Sequence, residues 1–314
     1  MKLSIIVPFY NEQESLLLFF AETQKQVQKL AVTPEYIFVN DGSTDQTLSE
    51  LKKMHKQEPT IVHFVDFSRN FGKEAAIYAG LQAATGDLVT LMDADLQDPP
   101  ELLPEMYRLI TEEGYDCVGT CRKSRDGEPP IRSFFAKGFY WLINKISQTS
   151  MVSGVRDFRL MTRQVVDAIL QMGEYNRFSK GIFSWVGFKT TYLPYENKER
   201  VAGETSWSFW SLFRYSLEGI IDFSNVPLQL AAWGGIFSCF LAVLIIVVIV
   251  IRTLVFGDPT SGWPSMVSII LFLGGLQLFF IGILGQYIGK IYLEVKKRPV
   301  YLIRETDLNH PNKD

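Results

Sequence analysis

Cysteine and histidine are scarce in this chain, with three of each among 314 residues. Cys117, Cys121 and Cys239 are too few and too scattered for a disulfide framework. Cys117 and Cys121 could form half of a zinc site, but no second Cys/His pair follows, and His55, His63 and His310 lie outside the promising motifs. A basic excess is missing too. The formal net charge is -3 and the pI about 5.8, so nothing global points to nucleic acid. There is no G-x-x-x-x-G-K-[ST] loop, so ATP-type phosphoryl transfer lacks its cradle; no G-x-G-x-x-G follows the first apolar run, which counts against a dinucleotide oxidoreductase. Only one lysine and five apolar residues precede Pro8, too short a stretch for a signal peptide. The soluble part is therefore expected in the reducing cytoplasm.

Charge is also nearly absent between Arg214 and Lys290. Over 228–251 only Gln229 and Ser238 interrupt small, aromatic and aliphatic residues. As a helix this run reaches about 36 Å, enough for a hydrocarbon core of about 30 Å. A second run, 266–289, is broken by Ser268, Gln277 and Gln286, and the loop between holds Gly, Pro and Trp, as at a membrane interface. Two spans are expected. That loop carries Arg252 alone, whereas Lys290, Lys296, Lys297 and Arg298 follow the second run, and Arg200 and Arg214 precede the first. The positive-inside rule then places both termini in the cytoplasm. Aromatic segments with a few charges, 132–146 and 207–224, read as helices lying at the bilayer surface. Small residues in "GGIFSCFLA" and "LGGLQLFFIGILG" would permit helix association, including a homo-oligomer.

In the soluble part, apolar β-branched runs at 3–7, 36–39, 61–67, 88–92 and 116–120 alternate with helical stretches at 12–30, 44–56, 71–84 and 100–113. Such alternation predicts an α/β, mostly parallel sheet covered on both faces, with ligands at the carboxyl ends of its strands. Polar residues collect at those ends: Pro8 to Glu12, Asn40 to Asp45, Ser68 to Asn70 with Gly72 and Lys73 beyond, and Asp93 to Gln97.

If 88–95 is extended, Asp93 and Asp95 face the same way, with Gln97 next. Carboxylates so close repel unless a cation sits between them, and oxygen ligands suit Mg²⁺ or Mn²⁺. That metal would keep positions open for phosphate oxygens, implying a nucleoside diphosphate compound. Asp98-Pro99-Pro100-Glu101 reads instead as a helix start, with Asp98 as its cap.

In order, "IIVPFYNEQESL", "IFVNDGSTDQT", "SRNFGKEAAIYAGL", "MDADLQDPPELLP" and "VRDFRLM" resemble glycosyltransferase family 2. The likeness is to its bacterial polyisoprenyl-phosphate glycosyltransferases, relatives of dolichol-phosphate mannose synthase, and runs over about residues 3–225. The resemblance implies a GT-A catalytic domain over 1–206, a juxtamembrane helix over 207–226, a transmembrane hairpin over 227–290 and a cytoplasmic tail over 291–314. It implies that Pro8, Tyr10, Glu12, Val39, Asp41, Asp93 and Ala94 hold the nucleotide-sugar, with Asp41 near the base. Asp93, Asp95 and Gln97 would hold the metal, Arg122 the sugar diphosphate, and Asp157 would be the proposed catalytic carboxylate, working with Asp95 and Arg122. Arg200 matches a basic residue that contacts phosphate. The family's usual G-x-S-K appears here as Gly203-Glu204-Thr205-Ser206 without its lysine, so Arg200, Lys198 and Arg214 are all candidates for the acceptor phosphate.

The implied reaction is inverting transfer of glucose or N-acetylglucosamine from a UDP-sugar to polyisoprenyl phosphate at the cytoplasmic membrane face. Phosphate is already largely ionised near neutral pH, so Asp157 is expected to orient rather than deprotonate. A processive polysaccharide synthase would carry Q-x-x-R-W and usually more spans, and neither is present. A non-catalytic scaffold would have no use for the Asp93, Asp95, Gln97 and Asp157 set.

Overall fold

Strands β1 (Lys2–Phe9), β2 (Thr33–Asn40), β3 (Val62–Phe67) and β4 (Leu88–Leu91) carry the aliphatic runs, and helices α1 (Leu16–Val27), α2 (Thr47–Gln57) and α3 (Lys73–Ala83) connect them. A 3₁₀ turn (Pro100–Leu102) and α4 (Leu103–Glu113) lead to β5 (Cys117–Arg122). Then come β6 (Val155–Thr162), α5 (Arg163–Leu170), α6 (Ser179–Trp185), β7 (Thr190–Tyr195), α7 (Val226–Phe256), α8 (Trp263–Lys296) and β8 (Ile303–Thr306). This computed structural model describes residues 1–122, 154–196, 226–256 and 262–308, with single positions 145, 221 and 224. Lys198, Arg200 and Arg214 lie outside the described residues, as do nearly all of the two segments expected at the bilayer surface.

The eight strands form one sheet in the order β7-β5-β6-β4-β1-β2-β3-β8. Pairings β1 with β2, β1 with β4, β2 with β3 and β5 with β7 are parallel, as buried aliphatic strands joined by helices require. The expected mostly parallel α/β sheet is therefore present. Two strands run the other way: β6, between β4 and β5, and β8, against β3. One layer of core packs Phe9, Phe19, Tyr36, Phe38 and Phe158 on one face of the sheet. The other packs Ile6, Val39, Phe67 and the alanines of α3.

Strand β8 modifies the expected organisation. The segment after the second apolar helix is not a separate tail, because Ile303–Thr306 pairs with β3 and closes that edge of the sheet. Asp307 clasps it there: its Oδ1 accepts from the Phe64 amide at 2.7 Å, and its Oδ2 lies 2.6 Å from His63 Nδ1. His55 Nδ1 completes the cluster, 2.7 Å from the Val62 carbonyl.

Helices α7 and α8 are long and apolar enough to cross a membrane, and the described residues do not bury their apolar stretches. Leu230, Trp233, Phe237, Phe240, Phe272 and Leu278 all stand exposed. Continuous apolar surface on this scale marks a membrane or protein interaction face. The two helices approach closely at Gly234, where an added Cβ would sit 2.6 Å from the Phe280 ring. One of the small residues expected to permit association thus serves packing within the chain.

Candidate active site

Six of the eight strands point their carboxyl ends at one edge, and antiparallel β6 starts there. Strand β6 follows β4 in the register Leu91↔Arg159; two residues further along that register, Asp93 falls opposite Asp157. Their side chains meet through a residue that the sequence reading left unassigned. Lys73 Nζ lies 2.7 Å from Asp93 Oδ1 and 2.5 Å from Asp157 Oδ2. It also donates to Asp93 Oδ2 at 2.8 Å.

This bridge sets the local electrostatics. Burial works against the charge of Lys73, but Asp157 and Asp93 outweigh it and raise its pKa. Burial likewise opposes ionisation of Asp157, yet Lys73, Lys180 and Arg159 hold its carboxyl far below the usual range. Arg159 is itself fixed, stacked 3.6 Å over the Phe183 ring and donating to the carbonyls of Asp157 and Arg156. Beside Lys73, the carboxylate of Glu74 accepts from the amide and hydroxyl of Ser179, and burial pushes its pKa up.

The Asp-Ala-Asp segment departs from the extended geometry expected of it. Strand β4 stops at Leu91, and residues 94–96 turn with Leu96 at φ 54°. The turn buries Ala94 and Leu96 under the sheet edge and leaves Asp95 Oδ1 accepting from the Gln97 amide at 3.1 Å. Period-two alternation therefore does not align Asp93 with Asp95. Gln97 turns its amide oxygen toward Arg156 at 3.2 Å and Arg122 at 3.5 Å, which brings Arg122 into the site.

Asp98 is not a helix cap either. Pro99 occupies that position, and Asp98 is 1% exposed, bonded to Arg156 Nε at 2.9 Å and to the Tyr195 hydroxyl. Burial pushes its carboxyl up against the pull of Arg156. It braces the edge from below, tying β7 and β6 to the turn.

On the other side of the edge, the loops after β1 and β2 are zipped together. Asn11 donates its amide to Ser43 Oγ at 2.9 Å and accepts from the Thr44 amide at 2.8 Å. Glu12 donates its amide to Thr47 Oγ1 at 3.1 Å. Tyr10 is exposed above this seam, while Pro8 pairs with Val39 within the sheet. The Val39 side chain is fully buried in the core, so a ligand can reach only its backbone. Asp41 is 3% exposed and uses both oxygens on the loop after β3, accepting from the amides of Phe71 at 2.6 Å and Gly72 at 2.9 Å. Burial, partly offset by those donors and Arg69, holds its pKa above the ordinary value. Gly42 beside it has φ +65°, and a Cβ there would meet the Arg69 carbonyl carbon at 2.4 Å.

The carboxylates of Asp93 and Asp95 are oxygen donors of the kind that suits a hard divalent cation, and Asp93 already accepts positive charge, that of the Lys73 ammonium, on both oxygens. Among residues given no role from the sequence, Lys73, noted only as polar beyond a strand end, and Arg156 had the clearest signals: a lysine opening the helix after "RNFG", and an arginine adjoining Asp157.

Residues 4–170 match the family model described as glycosyl transferase family 2. The putative glycosyltransferase CsbB of Bacillus subtilis is 44% identical, covering 99% of this chain and 93% of its own. The bactoprenol glucosyl transferase of Shigella phage SfII is 43% identical over 99% of this chain and 100% of its own. In structure, mannosyl-3-phosphoglycerate synthase from Rubrobacter xylanophilus aligns with TM-score 0.49 and 15% identity, covering 74% of this chain and 75% of its own.

Proposed function

The chain belongs to glycosyl transferase family 2, and from that membership we propose that it transfers a hexose from a UDP-sugar to a polyprenyl phosphate at a membrane surface. The observation that carries this reading is topological. Strand β7 ends, and β8 begins, at the same carboxyl edge that holds Asp93, Lys73 and Asp157. Residues 297–302 alone separate α8 from β8, which keeps that edge within about 25 Å of the helix end. The reacting groups thus face the side from which the chain enters its membrane-length helices, where the head of a lipid acceptor would lie. Because β7 and β8 share one sheet, the chain crosses the bilayer an even number of times, which supports both termini on one side. The catalytic unit is then residues 1–206 together with β8, the segment 207–226 lies next to the membrane, and 227–290 form the hairpin. The basic residues after the hairpin support a cytoplasmic placement of that unit.

In this reading Tyr10, the seam of 11–13 with 43–47, and Asp41 with its loop seat the nucleoside. Asp93 and Asp95 hold the metal, with Gln97 and Arg122 beside it. A bound Mg²⁺ or Mn²⁺ supplies charge neutralisation for the departing diphosphate. Arg122 and Arg156 add fixed positive charge at the same place, which lowers the barrier because it is oriented before reaction. Asp157, firmly ionised, orients the bound substrate as a hydrogen-bond acceptor rather than removing a proton. A single displacement makes an α-linked donor sugar emerge β-linked. The bactoprenol glucosyl transferases among its relatives favour glucose, with N-acetylglucosamine as the second candidate.

The test is incubation of the purified full-length protein with a panel of UDP-sugars and a polyprenyl phosphate, with product mass as the readout. A polyprenyl-phosphate hexose that forms with Mg²⁺ or Mn²⁺ and disappears on chelation is expected. Polymer, or no lipid product with any donor, would end this reading.

A further inference from the structure

We propose that Lys73 is the contact for the donor sugar, its ammonium donating to hydroxyl oxygens of a neutral hexose while Asp157 accepts from the same hydroxyls. The inference rests on the donor and acceptor ends assigned above. In a single displacement the anomeric carbon lies between the leaving diphosphate and the attacking phosphate. The protein groups at those two ends are Asp93 and Asp157, and Lys73 Nζ touches both, at 2.7 and 2.5 Å. The sugar must therefore occupy the space around this ammonium.

The chemistry of the side chain suits that position. An ammonium has three donors and no acceptor, and here they face both oxygens of Asp93 and one of Asp157. Engagement of Asp93 by a divalent cation would release the donors aimed at it for sugar oxygens. The root of Lys73 is fixed while its head stays open. It is the first residue of α3, next to Gly72, whose amide is bound by Asp41, and to Glu74, which is bound by Ser179. Its side chain is nevertheless 42% exposed. Arg159, the guanidinium near Asp157, is committed to Phe183 and two backbone carbonyls. A cation and a carboxylate side by side match a sugar that presents hydroxyl or carbonyl oxygens.

The experiment is calorimetric binding of UDP, UDP-glucose and UDP-N-acetylglucosamine to full-length protein in detergent with Mg²⁺. Wild type should bind at least one UDP-sugar more tightly than UDP. Lys73→Met should lose about tenfold in affinity for that sugar while affinity for UDP stays within about twofold. Lys73→Arg, which keeps the charge, should retain part of the preference and stands in if the methionine variant does not fold. Parallel loss of UDP and UDP-sugar affinity would overturn the proposal, since Lys73 would then serve the diphosphate or the fold. Unchanged UDP-sugar affinity, or a wild type with no preference over UDP, would overturn it as well. A wild type that binds neither UDP nor a UDP-sugar would instead bring down the donor-site reading, and this proposal with it.

Discussion

Asp157→Asn separates a carboxylate that orients the bound substrate from one that removes a proton. Asp157 is 17% exposed, receives Lys73 at 2.5 Å, and is held ionised well below the ordinary aspartate range despite its burial. So weak a base contributes little to proton transfer near neutral pH. The acceptor phosphate, with a second pKa of about 6, is mostly ionised without help. The amide keeps the shape of the carboxylate and one oxygen for Lys73, but deletes the charge and turns the second acceptor into a donor. Loss of one charge-assisted hydrogen bond is worth about 1.5–3 kcal/mol, so turnover should fall by about 10- to 150-fold. The assay is kcat/KM from pH 5 to 8 for both proteins with a short-chain polyprenyl phosphate. Both profiles should show the same acid limb near about pH 6, which belongs to the acceptor, separated by a constant offset. A limb present in wild type and missing from Asp157→Asn would assign the titration to Asp157 and refute the orienting role.

Three further outcomes test the scaffold. Glu35 is buried and accepts from Lys2 at 2.6 Å, Ser4 at 2.5 Å and Thr85 at 2.8 and 3.0 Å; burial opposes its charge, but these donors lower its pKa. Because the folded value is below the unfolded one, its stabilisation is complete above about pH 4.3 and is lost as pH falls through the lowered value. Glu35→Gln should therefore cost about 1–3 kcal/mol at pH 7, and thermal melts should show the gap closing toward pH 3; a gap independent of pH would contradict this. Gly42→Ala meets backbone at 2.4 Å with φ +65°, so at least about 1–3 kcal/mol of stability and much of the UDP affinity should go, by melting and calorimetry. Asp307→Ala removes the acceptor of the Phe64 amide and the partner of His63, and hydrogen exchange along β3 should rise by at least about fivefold. Unchanged protection would mean that β8 holds without its clasp.

Legibility in the sequence followed the periodicity of the elements. Strands β1 to β5 announce themselves by short aliphatic runs between helical stretches, and each was placed to within a few residues. Strand β6 reads "VRDFRLMT", with three charged residues among its first five, and β8 reads "IRET". Neither carries a periodic apolar signal, because β6 opens in the site and β8 lies at an edge that tolerates polar side chains. Asp93 was legible as a charge at a strand mouth. Its relation to Asp95 was not, because the turn at 94–96 depends on burying Ala94 and Leu96, a tertiary gain that overrides the extended pattern. Asp98 deceived for a related reason. Asp-Pro-Pro-Glu is an ordinary helix opening, and only the distant Arg156 and Tyr195 give its carboxylate a different place.

The two antiparallel strands explain how a parallel α/β sheet becomes a site at a membrane. A strand parallel to its neighbours contributes its carboxyl end to the site edge and receives its helices at the opposite one. A reversed strand contributes its beginning. Through β6 that beginning is Val155-Arg156-Asp157, which sets a carboxylate across from Asp93 and a guanidinium against Asp98. Through β8 it is Ile303, reached from α8 by residues 297–302. A parallel β8 would begin at the far edge, and the short link could not join it to a helix on the site side without crossing the length of the sheet. One reversal therefore builds the far wall of the site, and in the proposed function the other sets which edge meets the lipid. Both would then be needed for Lys73 to stand between a water-borne diphosphate and a phosphate delivered from the bilayer.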